Sequence, residues 1–358
     1  DEAGTAISTG DENVFMGYKA GQAVSTGSAN VAIGNEALHT EDGHGKNVAV
    51  GLQSLYTLNA GADAYNTAVG HQSGKLITTG VQNTLIGGLA GDEINSASNN
   101  TAVGYQALTR TTTGANNVAV GANASWGNTS GANNISVGVQ ALNASSTGSQ
   151  NVGIGYQALY TNTTASYNSA IGHHSLLLNT TGSENAGFGS FSLQANTTGG
   201  SNTAVGYQAL DANTEASSNT AVGRDALVAS TTASNNTAVG RLAGGAISSG
   251  ATNTALGYRA MGGTSAKTGN TNVAIGADTL YVMTSGANNT AVGYDAGGSV
   301  TTGTNNLLLG KSSGLSGSPG GALTTGSNDI VLGDGNIDTA HIQVDWTVAS
   351  DARDKTDF

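Results

Sequence analysis

The sequence predicts an all-β protein, a parallel β-roll or β-solenoid of about nineteen coils of 17 residues each. Three observations lead there. The stretch Asn100-Thr101-Ala102-Val103-Gly104-Tyr105-Gln106-Ala107-Leu108 returns in altered spelling along nearly the whole chain, for instance from Asn151 to Leu159 and from Asn202 to Leu210. The glycine of this motif recurs at a near-constant interval. Each copy also sets a short β-branched run between glycine and polar turn residues, the pattern of a strand rather than a helix.

The marker glycines fall at 17, 34, 51, 70, 87, 104, 121, 138, 155, 172, 189, 206, 223, 240, 257, 276, 293, 310 and 333. Fifteen of the eighteen steps are 17 residues; Gly51 to Gly70 and Gly257 to Gly276 are 19, and the last is 23. Four residues before the glycine stands Asn in the first eighteen copies, Asn13 to Asn306, and Asp329 in the nineteenth. The residue before the glycine is always apolar, from Met16 to Leu332. Side chains alternate across a strand. The Val/Ile and Val/Thr positions therefore share one face, expected to form an inward aliphatic stack. Asn and Ala share the other, small enough for a second backbone to approach. The expected strand is about five residues long, with a return strand near the small residue three places after the glycine (Ala20, Ala37, Ser54). Stacked at one place in successive coils, Asn100, Asn117, Asn134, Asn151, Asn168 and Asn202 are candidates for a structural amide ladder. At about 4.8 Å per coil the rod is roughly 90 Å long. Each coil holds few aliphatic residues against the entropy of ordering it. Further burial between chains is therefore expected: a homo-oligomer, with three chains around an axis.

Read in order, residues 1–12 are a lead-in from a longer upstream region, and residues 13–333 are the β-roll shaft or head. The two-residue insertions within 56–65 and 259–270 are expected to bulge as loops, and the six-residue insertion with Pro319 ends the regular winding. Residues 334–349 are expected to be neck or cap strands, because Ile342, Val344, Trp346 and Val348 alternate with polar residues. Residues 350–358 follow a different grammar.

Composition excludes several functions. Of 358 residues 55 are glycine and only 9% are charged, with net charge −12 and pI near 4.6. Without basic patches there is no electrostatic basis for binding nucleic acid. No apolar run approaches the roughly 18 residues of a membrane span, and the absence of cysteine removes disulfides. No cofactor is expected. Gly153-Ile154-Gly155-Tyr156-Gln157-Ala158 fits a dinucleotide-loop pattern, but it is one more repeat copy with no helix pattern after it. Asp334, Asn336 and Asp338 begin like a calcium loop without its glycine or its final glutamate. The six histidines share no ligand spacing, so no metal site is assigned. Tyrosines after the glycine (Tyr105, Tyr156, Tyr207), together with Trp126, are candidate ligand contacts able to stack on sugars.

The repeat Asn-x-Ala-Val/Ile-Gly-x-x-Ala/Ser resembles the head repeats of trimeric autotransporter adhesins, which form left-handed parallel β-rolls in trimers. It is also similar to repeats of phage tail fibres. The resemblance spans residues 13–333. Independently, Ser350-Asp351-Ala352-Arg353-Asp354-Lys355 resembles the start of the intramolecular chaperone domain of endosialidase-type tail spikes and fibres. That likeness implies self-cleavage beside Ser350, with Ser350 as nucleophile and Lys355 as its base partner. Together the resemblances imply a trimeric extracellular fibre, structural and receptor-binding, most readily a phage tail fibre on the virion matured by self-cleavage. The alternative is a bacterial surface adhesin that binds host or prey glycans. A polysaccharide-degrading spike is a lesser alternative, because no catalytic residues can be named for it. Apart from a single autoproteolytic turnover, no enzyme is expected. The expected partners are the chain itself and a cell-surface glycan or protein receptor.

Overall fold

The computed structural model describes residues 2–339. It is an all-β solenoid with one strand per coil and, among the described residues, no helix. Nineteen three-residue strands run from β1 (Val14–Met16) to β19 (Ile330–Leu332) in a single parallel sheet. Each strand pairs with the next in register: β12 (Thr203–Val205) places Thr203, Ala204 and Val205 against Thr220, Ala221 and Val222 of β13 (Thr220–Val222). The long steps keep this register, pairing Val48 with Thr67, Thr254 with Val273 and Leu307 with Ile330. The extra residues leave the coil as loops.

The marker glycine is required by the stacking. At Gly104 φ is +138°, and a Cβ there would lie 2.6 Å from the carbonyl oxygen of Gly121 in the next coil. No side chain fits where backbones approach that closely.

The strands are shorter than the expected five residues, and the expected return strand is absent. After the glycine the chain turns instead, with left-handed backbone two and four residues on: φ is +56° at Gln106 and +52° at Leu108. These steps bend the chain too sharply for an extended segment. Coil-to-coil hydrogen bonds continue through the turn, as from the Leu108 N–H to Ala124 O at 3.0 Å. A left-handed leucine costs roughly 1–2 kcal/mol. Leu108, Leu142, Leu159 and Leu210 offset that cost by complete burial.

The inside and outside of the strand are the reverse of the sequence expectation. Ala204 is fully buried, whereas Val205 is 37% exposed. The interior is built from the central strand residue, the Ala/Ser three places after the glycine, the Leu four places after it, and a further column seven places after it. The Val/Ile and Thr/Val positions face outward. The physical reason is width. The leucine fills the coil, and the strand opposite it has space only for alanine. At Gly153, even an added Cβ would lie 3.2 Å from Leu142 Cγ.

The exceptions obey the same rule. Where the central strand residue is large, as at Phe15, Leu85 and Leu308, the leucine position holds glycine in both that coil and the one before. A Cβ at Gly74 or Gly91 would lie 2.8 or 2.9 Å from the Leu85 methyls, and one at Gly297 would lie 2.8 Å from Leu308 Cδ1. The volume moves from one wall of the coil to the other. The core falls into two clusters, Ala20 to Ala124 and Leu142 to Val331. Between them Ser125 and Ser136 replace the usual Leu and Ala and hydrogen-bond at 2.9 Å.

Candidate functional site

Asn100, Asn117, Asn134, Asn151, Asn168 and Asn202 are all buried. The Asn117 backbone N–H donates to Asn100 Oδ1 at 2.9 Å, and its Nδ2 donates to the same oxygen at 3.2 Å and to Gly131 O at 3.0 Å. The pattern repeats from Asn13, whose Oδ1 accepts from the Asn30 N–H, to Asp329, whose N–H donates to Asn306 Oδ1. The Asn amide accepts from the next coil through Oδ1 while donating across the turn through Nδ2, a pairing that Asp, with no donor, does not make.

Sequence reasoning missed a second interior column, seven residues after the glycine. Its middle is polar. Asn179, Asn196 and Asn213 each donate through Nδ2 to Oδ1 of the preceding Asn, at 2.9, 2.7 and 2.6 Å. Ser145 and Ser230 interrupt this ladder and leave Asn128 Oδ1, Ser145 Oγ and Asn213 Oδ1 buried without partners. Towards the ends the column is aliphatic (Val24, Leu58, Ile77, Ile247, Met283, Val300) with one fully buried ionisable member, Glu41; Lys267, ten residues after Gly257, is fully buried as well. Lys267 Nζ donates to Tyr281 O at 2.8 Å and Met283 O at 2.7 Å, and burial pushes its ammonium down to about 8. Burial likewise raises Glu41, opposed by hydrogen bonds from the His44 and Ala60 backbone. Recurrent Asn at this position (Asn162, Asn179, Asn196) was the signal that could have revealed the column.

The outward strand face carries two parallel columns along the sheet. The column before the glycine is apolar in all nineteen copies, and none of the nineteen is buried. Met16, Ile86, Ile171, Phe188 and Leu256 are among its most exposed members. Its partner column is mostly Thr and Val. Two columns about 7 Å apart over roughly 85 Å make a band of roughly 600 Å². Within that band the column before the glycine is apolar throughout, and its partner column mixes Thr with Val and Ile.

A third surface is an aromatic edge. Tyr156 stacks on His173 with centroids 5.4 Å apart and planes within 17°. His173, His174, Phe191 and Tyr207 continue the row at centroid distances of 3.9, 5.7 and 5.7 Å. Burial, then the adjacent His173, lowers His174 from the ordinary histidine value. The structure thus joins Tyr156 and Tyr207 in one row. Trp126 packs separately under Arg110, whose guanidinium lies 4.1 Å from the ring centroid, and Tyr105 is 55% exposed. Near-parallel stacking on His173 covers one face of the Tyr156 ring, and the residue remains 45% exposed. Arg224 likewise lies over the Tyr207 ring at 5.5 Å.

The expected cap residues Ile342, Val344, Trp346 and Val348, and the candidate autoproteolytic pair Ser350 and Lys355, lie outside the described residues. No helix among the described residues is long and apolar enough to cross a membrane. No protein-family model matches the chain, and no curated protein matches its sequence.

Proposed function

We propose that this chain is the shaft of a homotrimeric extracellular fibre whose work is reach, rigidity and surface recognition rather than turnover. One observation carries the reading. Nineteen successive solvent-facing positions before the glycine are all apolar, while the position just after it varies freely among Tyr18, Asn35, His71, Gly88, Arg224 and Lys311. A position open to water has no need of nineteen apolar residues; one covered by partner chains does. Three rods packed by these bands around one axis would bury them, leaving the aromatic edges outside. Val205→Asp, alone and with Val222→Asp, tests this by sedimentation velocity. The wild type sediments as a trimer and the double variant as a monomer; a trimer unaffected by both charges would refute the interface.

Among fibres, we favour a phage tail fibre because of the Ser350–Lys355 stretch. Ser350→Ala in a chain carrying the whole chaperone region leaves an uncleaved trimer, and normal processing of that variant would exclude the role. The exposed side chains of Tyr105, Tyr156 and Tyr207 also suit a bacterial adhesin contacting glycans. Glycan-array binding that falls with Tyr105→Ala would support that reading.

A further inference from the structure

Among the described residues one group of three metal-capable side chains comes together: Glu41, Asp42 and His44, in the turn of the second coil. One ligand atom from each lies within 4.8 Å of the other two. Glu41 belongs to the interior column, between Val24 and Leu58, and its side chain is fully buried. Among the described residues its one ion-pair neighbour is His44. Its Oε1 accepts the His44 backbone N–H at 3.1 Å, and its Oε2 accepts the Ala60 N–H at a long 3.4 Å. The His44 side chain is 33% exposed, but its Nδ1 is turned inward, is shielded from water and makes no hydrogen bond; its neighbour is Glu41 Oε1 at 3.5 Å, an ion-pair contact only when the imidazole is protonated. A shielded imidazole nitrogen with no hydrogen bond, directed at a buried carboxylate, is an arrangement a cation between the two would complete. The third carboxylate nearby, Asp63, is already engaged. It accepts the Gly45 N–H at 3.2 Å and pairs with Lys46 Nζ at 2.7 Å.

We propose that Glu41, Asp42 and His44 bind one divalent transition-metal ion per chain. Asp42 and water lie on the solvent side, and Glu41 and His44 Nδ1 on the protein side. One imidazole with two carboxylates suits zinc, cobalt or manganese; calcium and magnesium prefer all-oxygen sites. The ion would hold the turn of the second coil to the loop inserted in the third. Ala60 and Asp63 of that loop already contact the turn, through the Glu41 carboxylate and the Gly45 N–H. All ligands come from one chain, so the proposal stands apart from the trimer reading.

The test uses the untagged chain, stripped with chelator and titrated with zinc chloride by calorimetry. One saturable ion per chain is expected, with affinity reduced at least tenfold in both His44→Ala and Asp42→Asn, each altering an accessible side chain. Zinc is expected to raise the melting temperature of the wild type but not of His44→Ala. Cobalt is expected to give visible absorption bands that vanish in His44→Ala. Absence of zinc binding would overturn the proposal. So would unchanged affinity in His44→Ala, or calcium binding at least as tightly as zinc, since either removes the imidazole from the ligand set.

Discussion

Ala204→Leu is expected to change sign with its background. In the wild type, Ala204 is fully buried opposite Leu193 and Leu210, which fill the preceding and the same coil. A larger side chain must displace them, and overpacking of this kind costs about 1–3 kcal/mol. Leu193→Gly with Leu210→Gly opens a cavity instead; losing a buried leucine costs roughly 2–5 kcal/mol each. Glycine recovers about 1–2 kcal/mol at each site, because the two leucines sit at φ +51° and +53°. Into that cavity Ala204→Leu introduces the side chain that Leu85 supplies between Gly74 and Gly91. It should then stabilise, by roughly the transfer and cavity terms of one leucine, about 2–4 kcal/mol. Thermal melts by circular dichroism on the wild type, Ala204→Leu, the glycine pair and the triple variant form a closed cycle. Ala204→Leu destabilising by similar amounts in both backgrounds would refute the shared-volume account of the core.

Three further outcomes follow from the same structure. Ser145→Asn should stabilise the rod by about 1–3 kcal/mol by giving the buried Asn128 Oδ1 a donor and extending the ladder to Asn162; an unchanged or lower melting temperature would show the column has no space for the amide. Stability should rise between about pH 8 and 10.5, because folded Lys267 titrates near 8 against an ordinary 10.5. In that window the unfolded chain holds a proton that the folded chain has released, and the rise is at most roughly 3 kcal/mol. Lys267→Met should remove it, and an equal rise in that variant would assign it to other groups. Asn168→Ala should cost about 1–3 kcal/mol, since Asn185 N–H and Nδ2 both donate to Asn168 Oδ1; a loss near zero in denaturant melts would mean water replaces the rung.

Much of this architecture was legible in the glycine interval, because a stacked backbone contact admits no other residue. Strand count and register follow from it, and even the long steps at Gly51–Gly70 and Gly257–Gly276 keep the pairing. Alternation along Thr203-Ala204-Val205 separated two faces but could not say which lies inside. Choosing the more apolar face as the interior was wrong because a coil with one three-residue strand is too narrow for valine opposite leucine. The leucine itself, at Leu108, Leu159 and Leu210, is plain in the repeat, yet its left-handed backbone has no sequence signature, so the sequence alone predicts a strand where the chain turns. Of the surfaces, the tyrosines were visible as residues but not their stacking with His173 and Phe191, which needs the coil-to-coil register. The Glu41–His44 cluster gave no signal, because it depends on Glu41 occupying a column whose existence was not recognised.

The central claim is that the outward apolar band is an interface between three copies. Its most direct test is the solution mass of the wild-type chain by light scattering, across a dilution series. The account predicts about three times the 35.1 kDa of one chain, held to low concentration. A stable, folded species of 35.1 kDa at every concentration would contradict it, and the band would then be a free surface of a single-chain solenoid.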